Sequence, residues 1–191
     1  MIIIGITGTL GSGKGTIVKY LVKKKGFTHY SVREYLLKEI KKRGLPENRD
    51  SMVIVANELR KNNSPSYITD QLFEQALKQN SNVIIESIRT PGEAESLRTK
   101  GEFYLLAVDA DPKIRFNRIK LRNSETDQID FDTFIANEKR EMTATDPNKQ
   151  NLKKCREMAD FVFMNDGSRE DLNQAIENVL AQININSSRL Q

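Results

Sequence analysis

Nine consecutive residues, Gly8-Thr9-Leu10-Gly11-Ser12-Gly13-Lys14-Gly15-Thr16, constrain this chain more than any others. An uncharged, β-branched run from Met1 to Thr7 precedes them and predicts a buried strand. Ile17, Leu21 and Val22 follow at helical spacing. A glycine-rich bend between a strand and a helix is a phosphate cradle. Polyphosphate is bulky and anionic, so the backbone must approach closely and turn several N–H groups inward. Gly8, Gly11 and Gly13 permit those turns with no Cβ in the way. Unpaired N–H groups and the positive end of the helix dipole favour an anion at the same place. Lys14 adds a full charge that reaches the terminal phosphates, and Ser12, Gly15 and Thr16 complete the candidate cradle.

The spacing departs from the common motif in one respect. Ser or Thr ordinarily follows the lysine and ligates Mg²⁺. Gly15 stands there instead, and Thr16 comes next. Thr16 is therefore read first as a phosphate ligand and only weakly as a metal ligand. Mg²⁺ would keep mostly water and phosphate oxygens, which suits an ion that dehydrates reluctantly.

At 191 residues the chain suits one domain with a proper core. Hydrophobic residues make up 38% and charged ones 29%, which predicts a soluble protein, and no run approaches transmembrane length. The amino terminus lacks a basic leader and a cleavage site, so it is read as a strand and not as a signal peptide. The single cysteine, Cys155, excludes an internal disulfide and fits a reducing, cytoplasmic location. Its helical context gives it a packing role. The net charge is +4, with basic clusters at Lys23-Lys24-Lys25 and from Lys38 to Arg43. These read as solvated helix faces that raise the local concentration of anionic substrates. No basic motif is interleaved with aromatic residues, so neither nucleic acid nor membrane is an expected partner. A small-molecule phosphate acceptor is, with the chain acting as monomer or homodimer.

Along the chain, further strands are expected at 27–30, 82–86, 103–109 and 160–164. Helices are expected at 32–42, 51–61, 66–79, 91–100, from Pro112 through Arg122, at 130–143, 151–159 and from Ser168 to Ile183. Alternating strands and helices imply a three-layer α/β/α sandwich around a five-stranded parallel sheet. His29, the one histidine, has no histidine or cysteine partners and reads as a packed or solvated side chain. Glu86 ends the third strand, and Arg89 follows at the carboxyl edge of the sheet, where ligands of open α/β sheets bind. Glu86 is the candidate to hold Mg²⁺ through water. Asp109 competes for that role, and Glu86 is favoured because Arg89 follows it. Arg115, Arg118 and Arg122, spaced by three and four, share one helix face suited to neutralising a transferring phosphoryl group. The polar stretch 124–132 and the helix after it form a candidate lid, with Arg140 entering on closure.

The P-loop, Arg43-Gly44-Leu45-Pro46, Ala56-Asn57-Glu58-Leu59-Arg60, Ile88-Arg89, the Arg115 to Arg122 helix and Asn165-Asp166-Gly167-Ser168 together carry a resemblance. Over about residues 1–180 the chain resembles the nucleoside monophosphate kinase group of P-loop kinases, adenylate-kinase-related and dephospho-coenzyme-A-kinase-like. The resemblance implies a P-loop NTPase fold over 1–183, an acceptor-binding side at about 31–80, a lid at about 123–146 and a flexible tail at 184–191. It implies ATP and Mg²⁺ as cofactors and phosphoryl transfer to a nucleoside or deoxynucleoside monophosphate. Lys14 would bind the β- and γ-phosphates, Arg89 the acceptor's phosphate, and Arg118 and Arg122 the donor and the transferring group. Asn165 would lie beside the nucleotide base. Two departures stand out. Such kinases usually have Asp where Glu86 stands, and they often have an arginine where this chain has Leu37, with Arg33 or Arg60 as candidate replacements. Dephospho-coenzyme A is the alternative acceptor, and its hydroxyl would need a base. A nucleotide-dependent switch without an acceptor is the other rival. The nearest guanine-type run, Asn148-Lys149-Gln150-Asn151, lacks the aspartate such a switch needs.

Overall fold

The computed structural model of the protein describes residues 1–79, 81–122 and 128–183. Five strands, β1 (Ile2–Gly8), β2 (Thr28–Ser31), β3 (Val83–Ile88), β4 (Glu102–Asp109) and β5 (Phe161–Met164), pair in parallel in the order β2-β3-β1-β4-β5. The helices are α1 (Lys14–Lys25), α2 (Val32–Lys42), α3 (Arg49–Asn62), α4 (Tyr67–Leu77), α5 (Pro91–Arg98), α6 (Pro112–Arg122), α7 (Phe131–Met142), α8 (Leu152–Glu157) and α9 (Arg169–Gln182). The expected α/β/α sandwich with its five-stranded parallel sheet is what forms. The first five residues of the lid segment and the tail at 184–191 lie outside the described residues.

Strand alternation sorts the core into two layers. Ile4, Ile6, Ile84, Leu106 and Val108 face α1 and α9, where Ile17, Leu21, Leu172 and Ile176 meet them. Ile3, Val83, Ile85, Phe103 and Leu105 face α2 to α5 and α8. Cys155 is fully buried on that second side, and burial pushes its thiol up to about 12. Gly5 is where Ile88 and Phe103 crowd β1. A Cβ there would stand 2.6 Å from Ile88 Cδ1 and 2.7 Å from the Phe103 ring.

The third strand departs from expectation. It runs two residues past Glu86, because the ladder slips at that point: Ile6 pairs with Glu86, but Thr7 pairs with Ile88. Ser87 is the extra residue of this bulge, held at φ 75°. Such a conformation costs a β-carbon residue on the order of 1–3 kcal/mol. The slip has two results. Ile88 turns into the same core layer as Ile85, and its carbonyl accepts Thr7 Oγ1 at 2.8 Å. Glu86 is left at the cleft edge, with Ser87 Oγ donating to its Oε1 at 2.8 Å.

Local caps set the helix starts. Ser31 Oγ accepts Glu34 N at 3.3 Å, and Thr90 and Ser168 close capping boxes with Glu93 and Asp171. Asn48 Oδ1 accepts Ser51 N at 2.9 Å, so α3 begins at Arg49, two residues before the expected start. Glu93, fully buried, does more than cap. Its Oε1 accepts Arg60 Nε and Nη2 at 3.1 and 2.8 Å, and its Oε2 accepts Arg89 N and Thr90 N at 2.7 and 3.1 Å. Helix α3 and the loop after β3 are thereby fastened to one carboxylate. Breaking a buried pair from one side strands the other charge, at about 3–5 kcal/mol. Arg60→Ala is expected to lose that much in urea denaturation. The double variant Arg60→Met with Glu93→Leu is expected to lose less, which would separate the pair's own contribution from the stranded charge.

Candidate functional site

The bend after β1 can close only because it lacks side chains. Gly8, Gly11 and Gly13 hold φ of 147°, 79° and 112°. A Cβ would lie 2.1 Å from Val108 O at Gly8, 2.5 Å from Arg115 O at Gly11 and 2.2 Å from Asn165 Nδ2 at Gly13. Three contacts brace the bend from behind. Thr9 Oγ1 donates to Asp109 Oδ1 at 2.7 Å, Arg115 Nη1 to Leu10 O at 3.4 Å, and Asn165 Nδ2 to Ser12 O at 2.8 Å. Ser12 Oγ is buried with no hydrogen-bond partner. Lys14 Nζ folds back onto the bend's own carbonyls, donating to Gly8 O at 2.9 Å and Thr9 O at 2.8 Å. Burial, then Arg89, pull its pKa down to about 7, against the opposite pull of Glu86 and Glu141. The cradle thus presents a desolvated ammonium held on its own carbonyls, which an anion in the cleft can draw away.

A cleft of about 1220 Å³ opens over this bend. Gly11, Gly13, Lys14, Gly15, Thr16, Glu86, Arg89, Arg118, Arg122 and Asn165 all line it, whereas Gly8 and Ser12 lie behind the lining. A Cβ at Gly15 would meet nothing within 4 Å. Among the described residues, eleven lysines and arginines line the cleft against three glutamates. That imbalance suits a polyanion or two anions together.

Glu86 lies beside β1 and reaches the cleft. Burial would raise its pKa, but His29, Lys14 and Ser87 together hold it at about 2. His29 Nε2 stands 3.8 Å from Glu86 Oε2, too far for a hydrogen bond, and lines the cleft instead of packing away from it. Asp109, the competitor for the metal-side role, does not line the cleft. It is engaged by Thr9, by Ala110 N at 2.9 Å and by Arg156 at 3.0 Å.

The arginine face divides. Arg115 is 2% exposed, donates to Ala110 O at 2.7 Å, pairs with Glu138 and lies 5.3 Å from the Phe134 ring. It anchors α6 and α7 under the bend and does not enter the cleft, which corrects the reading of three equivalent arginines. Arg118 does line the cleft, and its Nη1 is buried without a hydrogen-bond partner. Arg122 is exposed at the cleft margin.

Arg140, expected to enter the site, stays outside. It lies on the exposed side of α7 and pairs with Asp50 at 3.2 Å. Its neighbour Glu141 points in. Glu141 Oε1 accepts Arg49 Nη2 and Oε2 accepts Arg89 Nη1, both at 2.6 Å. Arg49 and Glu141 were not legible as site residues. The cap at Asn48, which starts α3 at Arg49, was the available signal. Leu37 lines the cleft, Arg60 is taken by Glu93, and Arg33 sits half-buried in the wall. Asn165 borders the cleft, but its carboxamide nitrogen is spent on Ser12 O, so its observed work is to hold the bend.

Comparison with known proteins places this geometry. Residues 4–146 match the family model described as AAA domain. A UPF0200 protein of Methanocaldococcus jannaschii is 31% identical over 186 residues, covering 96% of this chain and 91% of the relative. Among solved structures, a gluconokinase from Sinorhizobium meliloti superposes with TM-score 0.57 at 12% identity over 94% of this chain and 91% of its own. A shikimate kinase from Acinetobacter baumannii, in complex with shikimate, superposes with TM-score 0.56 at 14% identity over 99% and 95%. At these identities the likeness shows a shared fold alone.

The lysine carries a measurable consequence. A polyphosphate beside Lys14 raises its pKa, so above about pH 7 binding takes up a proton that the free protein lacks. Calorimetry with Mg·ATP at pH 8 in buffers of different ionisation enthalpy is expected to show that uptake. Affinity is expected to fall as pH rises from 7.5 to 9, approaching about tenfold per unit. No proton uptake at pH 8 would contradict the lowered pKa.

Proposed function

The chain belongs to the AAA domain family and to the UPF0200 proteins, and on that premise we propose that it transfers the terminal phosphoryl group of Mg·ATP to the phosphate of a nucleoside or deoxynucleoside monophosphate. One observation carries the reading: two guanidinium groups, Arg49 and Arg89, converge on a single oxyanion in the same cleft as Lys14. A phosphate offers those guanidiniums the same acceptor oxygens that Glu141 does.

The state of the carboxylates supports a phosphate acceptor over a hydroxyl. A hydroxyl must lose its proton to a general base with a pKa near the working pH. Glu86 sits at about 2, and Arg89 and Arg49 hold Glu141 below its usual range against the upward push of burial. Neither is a useful base near neutral pH; of the other groups lining the cleft, Glu34 and His29 could take a proton. An acceptor phosphate is already anionic and needs none.

In this reading the amides of the bend and Lys14 hold the β- and γ-phosphates, and Arg49 with Arg89 holds the acceptor's phosphate. Arg118 and Arg122 neutralise charge on the transferring group. An acceptor oxygen bonds to the γ-phosphorus as the bond to the β–γ bridging oxygen breaks, and ADP leaves with that electron pair. Positioning and charge neutralisation supply the rate. Glu86 through water, and more weakly Thr16, would hold Mg²⁺, which would supply further positive charge at the phosphates.

A panel of AMP, CMP, UMP, GMP, their deoxy forms and dephospho-coenzyme A, each with Mg·ATP, tests the reading. One or more monophosphates are expected to be phosphorylated, and dephospho-coenzyme A is not. Lys14→Ala is expected to lower kcat by at least about a thousandfold with the circular dichroism unchanged. Arg89→Ala is expected to raise the acceptor's KM about a hundredfold. A Lys14→Ala rate equal to wild type would remove the assignment.

A further inference from the structure

Glu141 is the least expected group in the cleft. Its side chain is 5% exposed, and it ends a helix of the lid region, whereas its two partners start α3 and follow β3. Three elements, α7, the start of α3 and the loop after β3, are therefore joined through one carboxylate. Gln150 Oε1 adds a long contact to Arg89 Nη1 at 3.4 Å. Behind Glu141 lies a second cavity of about 440 Å³, lined among others by Asn57, Arg140, Thr143 and Lys149. Glu141 and Gln150 are walls of both cavities.

We propose that Glu141 is a built-in occupant of the acceptor's anion site, which the incoming phosphate displaces, and that its displacement frees the end of α7. The inference rests on the acceptor reading above and adds a specificity-determining residue to it. Carboxylate and phosphate oxygens compete for the same guanidinium N–H groups, so both cannot hold Arg49 and Arg89 at once. A carboxylate tethered on its own chain competes at high effective concentration. Only an anion that engages both guanidiniums replaces it, and a neutral or hydroxyl-bearing molecule does not. The released carboxylate has somewhere to go: the wall of the second cavity carries Asn57, Thr143 and Lys149, together with Arg140, which pairs with Asp50. Until an acceptor arrives, the clasp keeps the end of α7 fastened to α3 and to the loop after β3.

The test uses the full chain with the bend saturated by Mg²⁺ and a non-hydrolysable ATP analogue, and inorganic phosphate as the probe. Glu141→Gln, which keeps shape and loses charge, is expected to bind phosphate about tenfold more tightly than wild type. Equal or weaker binding would reduce Glu141 to a structural brace and overturn the inference. A second measurement needs no variant. In wild type, phosphate is expected to speed hydrogen exchange of backbone amides at 139–143. Unchanged or slower exchange there also overturns it. A chain that phosphorylates no nucleotide in the panel, yet shows phosphate-driven release, keeps the clasp and loses the kinase reading. A chain that phosphorylates one of them but shows neither effect keeps the kinase reading and loses the clasp.

Discussion

The site depends on how closely backbone packs against backbone around the bend at 8–13. At three positions there is no room for a methyl group: Val108 O, Arg115 O and Asn165 Nδ2 already occupy it. The same neighbours, or residues beside them, hold the bend in place through Leu10 O, Thr9 Oγ1 and Ser12 O. The cradle is thus the place where β4, α6 and the loop after β5 meet β1. Its curvature is set by those elements as much as by its glycines. Lys14 is desolvated by this packing, and its lowered pKa follows from it.

The opposite wall is organised by a second constraint. Glu93 has no exposure to water, so all its lone pairs must find donors inside. It finds them on Arg60 and on the amides of Arg89 and Thr90. Arg89 therefore reaches the cleft from a backbone fixed by a buried ion pair. The two walls are joined through Phe116, Phe131 and Phe134, whose rings pack at 5.2 to 6.1 Å and tie α6 to α7. Arg115 reinforces that joint through Glu138.

Much of this was legible in the sequence, and the failures have physical reasons. Sheet and bend were readable because uninterrupted β-branched runs and glycine spacing are local signals. Glu86 and Arg89 stood out because they sit near and just past the carboxyl end of a strand, although that strand continues to Ile88. The arginine stripe was half right. Helical spacing reports which side of α6 a residue occupies, but not that Arg115 lies low enough to be covered by the bend and by Phe134. Arg140 and Glu141 were exchanged because they are adjacent: the docking angle of α7 decides which one faces Arg89, and that angle rests on long-range contacts with α6. Arg49 escaped for a similar reason: the Asn48 cap fixes where α3 starts, but not that Arg49 faces the cleft while its neighbour Asp50 faces solvent.

The slip at Ser87 has a consequence for chain length. One strand serves two geometries: up to Glu86 it keeps step with β1, and from Ile88 it runs one residue out of phase. Were the slip straightened with every residue kept, Ser87 would pair with Thr7, Ile88 would turn away from Phe103 and Arg89 would advance along the strand by about 3.3 Å. The bulge thus absorbs one residue and sets where Ile88 and Arg89 stand. Grafting this cleft onto a regular parallel sheet would require carrying the bulge along to keep Ser87 Oγ on Glu86.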